Sequence, residues 1–255
     1  MNIVLLHAFP FDHRMWLDVA EDIARDGHEI ALPDIRGLGE APEWDESEPA
    51  SLSTIANDVI RMLDALEVEK AVIGGCSLGG YVSLEVLRLF PQRVEALVLV
   101  DTKASADTDL QRTNRLELIK RLTTSNSLHD LLTGIENRML DESSLDDAKV
   151  MKLFHEMLQN ISIDGVCRLL EAMSKRDDYF SVLESSSVPV LSIRGESDTV
   201  STNEDHRAIE QSSKNAVHIE IEKAGHLAPL EQPLQVSKVI REFLTTLSTM
   251  SEQQA

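Results

Sequence analysis

Several residue types are scarce in the 255-residue sequence, and each shortage excludes a class of protein. Only two cysteines are present, Cys76 and Cys167, so no disulfide framework is expected. Aromatic residues make up 4%, and aliphatic side chains must therefore fill the core. No apolar run approaches the length of a membrane span. The run Ile3–Leu6 is too short, and has no basic region before it, for a signal peptide, so we expect a cytoplasmic protein without a membrane partner.

Positive charge is also scarce. The sequence has 24 Lys and Arg residues against 44 Asp and Glu residues, and its formal net charge is -20. That balance argues against nucleic acid or an anionic membrane surface as a partner. The length suits one large α/β domain, or one domain with an insertion, and the sequence leaves the oligomeric state open.

The first hundred residues contain apolar runs that alternate with amphipathic helical stripes. Continuous apolar runs of this kind are typical of strands that are covered on both faces. Alternation of strands with helices predicts a doubly wound parallel sheet. The runs that we interpret as strands in this part of the chain are Asn2–Leu6, His28–Leu32, Ala71–Ile73 and Val94–Val100.

The alternation stops at Lys103 and resumes at Val188, and helical stripes predominate between them. One such stripe consists of Leu128, Leu131, Leu132, Ile135 and Met139. Two further strands, Val188–Ile193 and Ala216–Ile221, bring the expected sheet to about six strands. We therefore predict an α/β core over 1–102 and 188–247, a helical lid over 103–187 and a disordered tail over 248–255.

Ser77 lies where a predicted strand meets a predicted helix, inside the segment Gly75-Cys76-Ser77-Leu78-Gly79. This segment fits G-x-S-x-G, in which a sharp strand-to-helix turn lifts the serine clear of the sheet. Glycines two residues away let the strand and the helix pass closely. The turn also directs the helix N-terminus and the Leu78 N–H at whatever the serine attacks. A Gly-rich turn that only packs a helix against a strand fits the same pattern. The residues at the ends of the neighbouring strands must therefore show whether Ser77 belongs to a catalytic site.

Polar side chains collect just past the predicted strands, at the edge where open parallel sheets carry their sites. These side chains are those of His7, Asp34, Ser77, Asp101, Asp198 and His226. Ser77, Asp198 and His226 follow one another in the chain order of nucleophile, acid and histidine in α/β-hydrolases. We expect Asp101 to cap the next segment or to line the pocket.

The remaining histidines give no pattern of their own. We expect them to face solvent without partners, namely His13, His28, His129, His206 and His218. His155-Glu156-Met157-Leu158-Gln159 departs from the zinc signature H-E-x-x-H at its last residue, so no metal site is predicted.

The sequence resembles the α/β-hydrolase family over nearly its whole length, and within it the small esterases and 3-oxoadipate enol-lactonase-like members. Leu6-His7-Ala8-Phe9-Pro10 resembles the oxyanion segment of the family, although Ala8 replaces a usual glycine. Asp34-Ile35-Arg36-Gly37-Leu38-Gly39 resembles its D-x-R-G-x-G loop, with Glu40 in place of a frequent serine after it. The segment from Gly225 to Glu231 resembles its histidine turn. Most members carry an antiparallel hairpin before the first strand found here, and this sequence has no segment that matches it. We therefore expect an α/β-hydrolase fold without that hairpin and with a parallel sheet.

The resemblance implies a serine hydrolase that cleaves small carboxylic esters without a metal or cofactor. In that reading Ser77 is the nucleophile, His226 the base and Asp198 the acid that orients it. The N–H groups of Phe9 and Leu78 would bind the oxyanion, and the predicted lid would set substrate size. Enol-lactone hydrolysis remains an alternative, as does a non-hydrolytic lyase or perhydrolase with the same three residues. The intact set disfavours a binding protein that has lost turnover.

Overall fold

Six strands form one sheet in the computed structural model, which describes residues 1–45 and 47–252, the last three of them by backbone only. The strands are β1 (Asn2–Leu6), β2 (Glu29–Ala31), β3 (Ala71–Cys76), β4 (Val94–Val100), β5 (Val190–Gly195) and β6 (Ala216–Ile221). Their order is β2-β1-β3-β4-β5-β6, and every neighbouring pair is parallel. The predicted six-stranded parallel sheet is confirmed.

Thirteen α-helices accompany these strands in the described part of the chain. The first three are α1 (Leu17–Ala24), α2 (Leu52–Ala65) and α3 (Leu78–Leu89). The segment between β4 and β5 contains α4 (Asp109–Ser125), α5 (His129–Leu132), α6 (Glu136–Met139), α7 (Glu142–Leu145), α8 (Ala148–Met157), α9 (Ile163–Ser174) and α10 (Phe180–Ser185). The last three are α11 (Asn203–Ser212), α12 (Ala228–Glu231) and α13 (Pro233–Glu252).

The four central strands, β1, β3, β4 and β5, are buried on both faces, as their continuous apolar runs require, whereas the edge strands β2 and β6 are only partly buried. Val4 and Leu6 of β1 belong to the core that includes α2 and α3, whereas Ile3 and Leu5 belong to the core that includes α1 and α13. This alternation follows from the two-residue period of a strand. Because helices cover both faces of the sheet, polar groups gather at the C-terminal ends of the strands.

The segment between β4 and β5 is helical, as its stripes predict, and the described residues 103–187 contain no strand. The stripe from Leu128 to Met139 is not one helix, however, because α5 and α6 are single turns separated by Gly134 at φ +64°. No described helix combines the length and apolarity that a membrane span needs. The division into core and lid stays a prediction.

The end of the chain differs from the expectation of a tail that begins at residue 248. Helix α13 continues to Glu252, and its side chains Val236, Ile240, Leu244 and Leu247 form an apolar stripe that packs in the core with α1. The hydroxyls of Ser248 and Thr249 donate to the carbonyls of Leu244 and Thr245 within the helix. Residues 253–255 of the predicted tail lie outside the described residues.

Candidate active site

Ser77 stands between the last residue of β3 and the first residue of α3, in a backbone conformation that favours glycine. Its φ is +53° and its ψ is -109°. The turn fits because Gly75 and Gly79 have no side chains: a Cβ on Gly75 would lie 2.3 Å from the Gly79 carbonyl carbon, and one on Gly79 would lie 2.3 Å from Leu6 O. The strained turn holds the half-buried Ser77 hydroxyl above the sheet edge.

Ser77, His226 and Asp198 form one chain of hydrogen bonds, although 149 positions separate Ser77 from His226. The Ser77 Oγ lies 2.8 Å from His226 Nε2. The His226 Nδ1 lies 2.9 Å from Asp198 Oδ2. Since a carboxylate only accepts, Nδ1 carries the ring proton, and Nε2 is left to accept the proton of Ser77. The structure thus brings together the three residues that the sequence selected.

The buried charges of this chain stabilise one another. Burial alone would lower the pKa of His226, but the charge and hydrogen bond of Asp198 outweigh it and raise that pKa above its usual value. Burial likewise favours the neutral form of Asp198, yet the His226 charge, with donors from Ser201 and Val200, holds its pKa below the usual value. The arrangement therefore favours an ionised Asp198 beside an imidazole of raised pKa.

Asp198 lies in the acid loop (residues 195–201), which buried polar side chains hold from behind. The Val200 N–H donates to Asp198 Oδ1 at 2.7 Å, and the Ser201 hydroxyl donates to Oδ2 at 2.5 Å. Arg194 of β5 donates to the carbonyls of Asp198 and Ser201, and its Nη1 also pairs with Glu220 of β6. These bonds fix both the carboxylate and the backbone that carries it.

A second histidine lies behind Ser201. The ring of His206 is buried, with Nε2 3.3 Å from Ser201 Oγ and Nδ1 2.7 Å from Ser192 Oγ. Burial, with the charge of His218, lowers the pKa of His206 to about 3, so the ring is neutral. The expectation that His206 faces solvent is wrong, because the capping box at Thr202 starts α11 in a register that turns His206 inward.

His226 lies in the histidine loop (residues 222–228), which two buried acids hold. Asp101 Oδ1 accepts from the Gly195 N–H at 2.7 Å, and its Oδ2 accepts from the Ala228 N–H at 3.0 Å. Asp101 thus joins the acid loop to the histidine loop, rather than capping the next segment. Burial and the nearby charge of Asp198 raise the pKa of Asp101.

Glu231 is the second of these acids, and it connects the histidine loop to the segment between β4 and β5. Its Oε1 accepts from the Gly225 and Leu227 N–H groups, and its Oε2 accepts from the Asp141 N–H at 2.6 Å. The His226 N–H in turn donates to Met139 O at 2.8 Å. Residues 139–141 of the predicted lid therefore support the histidine directly.

Phe9 and Leu78 follow the ends of the neighbouring strands β1 and β3. Leu6 pairs with Gly75 in the sheet, so Phe9 follows β1 where Ser77 follows the neighbouring β3, and Leu78 begins α3. Buried His7 holds this end of β1, because its Nε2 accepts from the Ile35 N–H at 2.7 Å and its Nδ1 donates to Ala8 O at 3.0 Å. Both ring nitrogens are occupied, so His7 supports the backbone here and is not free to act as a base.

One group of residues beside the site offers metal-ligand atoms. The carboxylates of Asp12 and Asp34 and the ring of His13 place one such atom each within 4.8 Å of one another. However, Arg14 pairs with Asp12, and Asp34 accepts from the His13 and Glu40 N–H groups and the His13 ring. Because these contacts already use the ligand atoms, we assign no metal to the group, and His13 has the partner that the sequence did not suggest.

Comparison with known proteins agrees with this geometry. A model of the α/β hydrolase fold family matches residues 2–233 of the chain. 3-Oxoadipate enol-lactonase 1 of Acinetobacter baylyi is 26% identical over 248 residues, which cover 96% of this chain and 89% of that protein. A thermophilic esterase from Thermogutta terrifontis, solved with malate bound, superposes with a TM-score of 0.91 at 29% identity, covering 97% of this chain and 90% of that one. A hydrolase from Pseudomonas aeruginosa superposes with a TM-score of 0.86 at 26% identity, over 95% and 89% of the two chains. Since the family model spans nearly the whole chain, the protein belongs to the α/β hydrolase family and is an enzyme of that family.

Proposed function

We propose that the enzyme hydrolyses carboxylic esters of small molecules through an acyl-enzyme on Ser77. The observation that carries the proposal is the continuous hydrogen-bonded chain from Ser77 through His226 to Asp198. A serine hydroxyl is a weak nucleophile unless an adjacent base takes its proton, and here His226 Nε2 is in place to do so. The position of Ser77 at the N-terminus of α3 adds a dipole that favours negative charge on the attacked oxygen.

Acylation begins when Ser77 Oγ attacks the ester carbonyl carbon and its proton passes to His226 Nε2. The carbonyl oxygen becomes an oxyanion, which the N–H groups of Phe9 and Leu78 stabilise. Asp198 stabilises the imidazolium that forms. The tetrahedral intermediate then breaks its bond to the alcohol oxygen, which takes the proton from His226 and leaves as the free alcohol.

Deacylation repeats these steps with water as the nucleophile. His226 takes a proton from the water as its oxygen attacks the acyl carbon, and the same N–H groups bind the second oxyanion. The bond to Ser77 Oγ breaks, Oγ recovers its proton from His226, and the carboxylic acid departs.

Enol-lactone hydrolysis is the second candidate, and the similarity to 3-oxoadipate enol-lactonase 1 over 96% of the chain supports it. A lactone is a cyclic ester, so the same proton transfers apply. Two things differ: the leaving group is an enol, which takes the proton from His226 and then tautomerises to a ketone, and it stays attached to the acid.

The test is a panel of 4-nitrophenyl esters and lactones, combined with labelling by a fluorophosphonate that reacts with activated serines. We expect hydrolysis of short-chain esters that persists in EDTA, and one label per chain on Ser77. Ser77→Ala should lose the label and nearly all turnover while its circular dichroism spectrum stays that of the native enzyme. Strong inhibition by EDTA, or labelling that Ser77→Ala does not abolish, would overturn the proposal.

A further inference from the structure

Ser192 is a hydroxyl inside the apolar strand β5, and it faces a histidine from α11. Ser192 is fully buried, as are its apolar neighbours Leu191 and Ile193. Its Oγ lies 2.7 Å from Nδ1 of His206, which is fully buried as well. Buried polar groups are costly unless they are hydrogen-bonded, so each proton in this pair must have an acceptor.

The direction of these hydrogen bonds follows from Asp198, because an ionised carboxylate only accepts. The single hydroxyl proton of Ser201 is therefore donated to Asp198 Oδ2, at 2.5 Å. With that proton used, Ser201 Oγ can only accept at its contact with His206 Nε2, at 3.3 Å. Nε2 must then carry the ring proton of His206.

The other ring nitrogen of His206 extends the series back to the strand. A neutral imidazole has one N–H and one ring lone pair, so Nδ1 is the acceptor when Nε2 holds the proton. Ser192 Oγ therefore donates to Nδ1. The three hydrogen bonds run in one direction, from Ser192 through His206 and Ser201 to Asp198, and we call these residues the donor series.

The elements around His206 hold its ring in this orientation. The capping box at Thr202 sets the register of α11. The ring of His218, from β6, stacks on that of His206 with centroids 5.4 Å apart and planes 28° apart. The ring nitrogens of His218 are buried and make no hydrogen bond with any residue that the structure describes, so they do not compete for the hydroxyls of the donor series.

The charges near His206 favour its neutral form. Burial opposes a positive charge on the ring, and so do His218 of β6, Arg194 of β5 and His226. Asp198 favours that charge but is outweighed, and the pKa of His206 is lowered to about 3. The ring therefore holds one proton at neutral pH, as the donor series requires.

We propose that His206 is a positioning residue for the reaction, which directs the Ser201 hydroxyl at Asp198 and so holds this acid in the orientation that His226 needs. The inference rests on the proposed function, since it adds a residue to the same site. Each hydrogen bond in such a series strengthens the next, because a hydroxyl that accepts a hydrogen bond becomes a better donor. His206 acts through Ser201 and not on the reacting atoms themselves.

The first test is the tautomer of His206, which can be measured without any substrate. Long-range proton–nitrogen NMR spectra of the enzyme labelled with ¹⁵N-histidine distinguish a protonated ring nitrogen from an unprotonated one. We expect His206 to show a protonated Nε2 and an unprotonated Nδ1 at neutral pH, with its signals identified by their loss in His206→Gln. A proton on Nδ1, whether alone or in a charged ring, overturns the inference.

The second test is a pair of substitutions at His206, assayed with a short 4-nitrophenyl ester. His206→Leu removes the donor to Ser201, so we expect kcat to fall about threefold with KM unchanged, since the series strengthens a bond by only a fraction of its worth. The acid limb of the pH profile should move to higher pH, because a weaker Ser201 donor leaves more of the Asp198 charge to act on His226. His206→Gln has both a donor and an acceptor, as neutral imidazole does, and should restore kcat and the limb.

The double variant Ser201→Ala/His206→Leu separates positioning from an effect on packing. If His206 acts through Ser201, His206→Leu should cost no further kcat once the Ser201 hydroxyl is gone. His218→Leu is the matched control, because it removes the neighbouring ring but no side-chain hydrogen bond to a described residue, and it should keep the native kcat and limb. Losses that add in the double variant, or a His218→Leu variant that loses as much kcat as His206→Leu, overturn the inference.

Thermal melting of each variant shows that it is folded. If His206→Leu does not fold, Ser192→Ala takes its place, since it removes the first donor of the series and should move the acid limb in the same direction. An unchanged limb in Ser192→Ala would then overturn the inference. The tautomer separates the inference from the proposed function. If no ester is hydrolysed but His206 carries its proton on Nε2, the reaction is wrong and the donor series stands as the support of Asp198.

Discussion

The two sides of the active site are held in place by different means. On the nucleophile side (residues 6–9 and 74–80) backbones touch, and the glycines at 75 and 79 leave no room for a Cβ. On the acid–histidine side (residues 195–201 and 222–231) buried polar side chains hold the loops. Those side chains belong to Asp101, Arg194, Ser201 and Glu231. The first side therefore depends on close packing, and the second on a network of hydrogen bonds.

This difference decides how each side should fail. Added volume cannot be absorbed where backbone meets backbone, so the nucleophile side should lose stability. On the acid–histidine side, the loss of a hydrogen bond shifts a loop or changes the charge around His226. Variants on this side should therefore lose turnover before they lose stability.

The largest loss of activity is expected on replacing the acid, Asp198. Asp198→Asn keeps the shape of the side chain but favours the wrong tautomer of His226, which in serine proteases costs about 10⁴ in turnover, or on the order of 5 kcal/mol. Asp101→Asn keeps one accepting oxygen and loses the other. We expect kcat/KM to fall about tenfold, as is usual when a residue that positions a reacting group is changed. The measurement is kcat/KM for a short 4-nitrophenyl ester.

Thermal melting of both variants accompanies these assays, because both acids are buried. The assignment of Asp198 is contradicted if Asp101→Asn is the inactive variant and Asp198→Asn keeps turnover. Equal losses would mean that the two carboxylates act as one unit.

The next effect is on the nucleophile side. In Gly79→Ala the new methyl group would lie 2.3 Å from Leu6 O, so strand β1 and helix α3 must separate. We expect the free energy of unfolding to fall by about 3 kcal/mol, the upper end of the usual cost of over-packing. Gly134→Ala is the control, because its Cβ has nothing within 4 Å. Its positive φ should cost about 1 kcal/mol. Urea unfolding curves that give the two variants equal losses would remove the contrast.

The nucleophile side could be predicted from the sequence because its determinants are local. The glycines that permit the Ser77 turn lie within two residues of it, and the apolar runs of β1 and β3 predict the two strands that end at this side of the site. The parallel direction of the strands follows from the same alternation. Local patterns were therefore sufficient to predict the fold class and the nucleophile side of the site.

The acid–histidine side could be predicted only in part. Asp198 and His226 follow strands, which marks them as candidates for the sheet edge, but their supports lie far away along the chain. Asp101 is 94 positions before Gly195, and Asp141 is 90 before Glu231. Ser201 and His206 are close in sequence to Asp198, yet no pattern says that their side chains point back at it. Such contacts depend on how the loops pack, which composition and periodicity do not encode.

The smallest effect concerns the hydroxyl of Ser201. Its proton is donated to Asp198 Oδ2, and neutral His206 lies at 3.3 Å on its other side. Ser201→Ala leaves Asp198 with its backbone donors and with His226, so we expect kcat to fall about tenfold while KM stays near its native value. Ser237→Ala is the matched control, since Ser237 is a fully buried serine that bonds to Asp22 away from the site.

The pH profile of Ser201→Ala distinguishes a change in charge from a change in packing. In the native enzyme the raised pKa of His226 should place the acid limb of kcat/KM above 6.5, because protonated imidazole cannot accept the Ser77 proton. Activity is thus present at higher pH and lost as the pH falls through that pKa. Without the Ser201 hydroxyl, fewer donors share the charge of Asp198, which then acts more strongly on His226, so the limb should move to higher pH. A variant with the native limb and native kcat would contradict the view that the acid–histidine side depends on its buried hydrogen bonds.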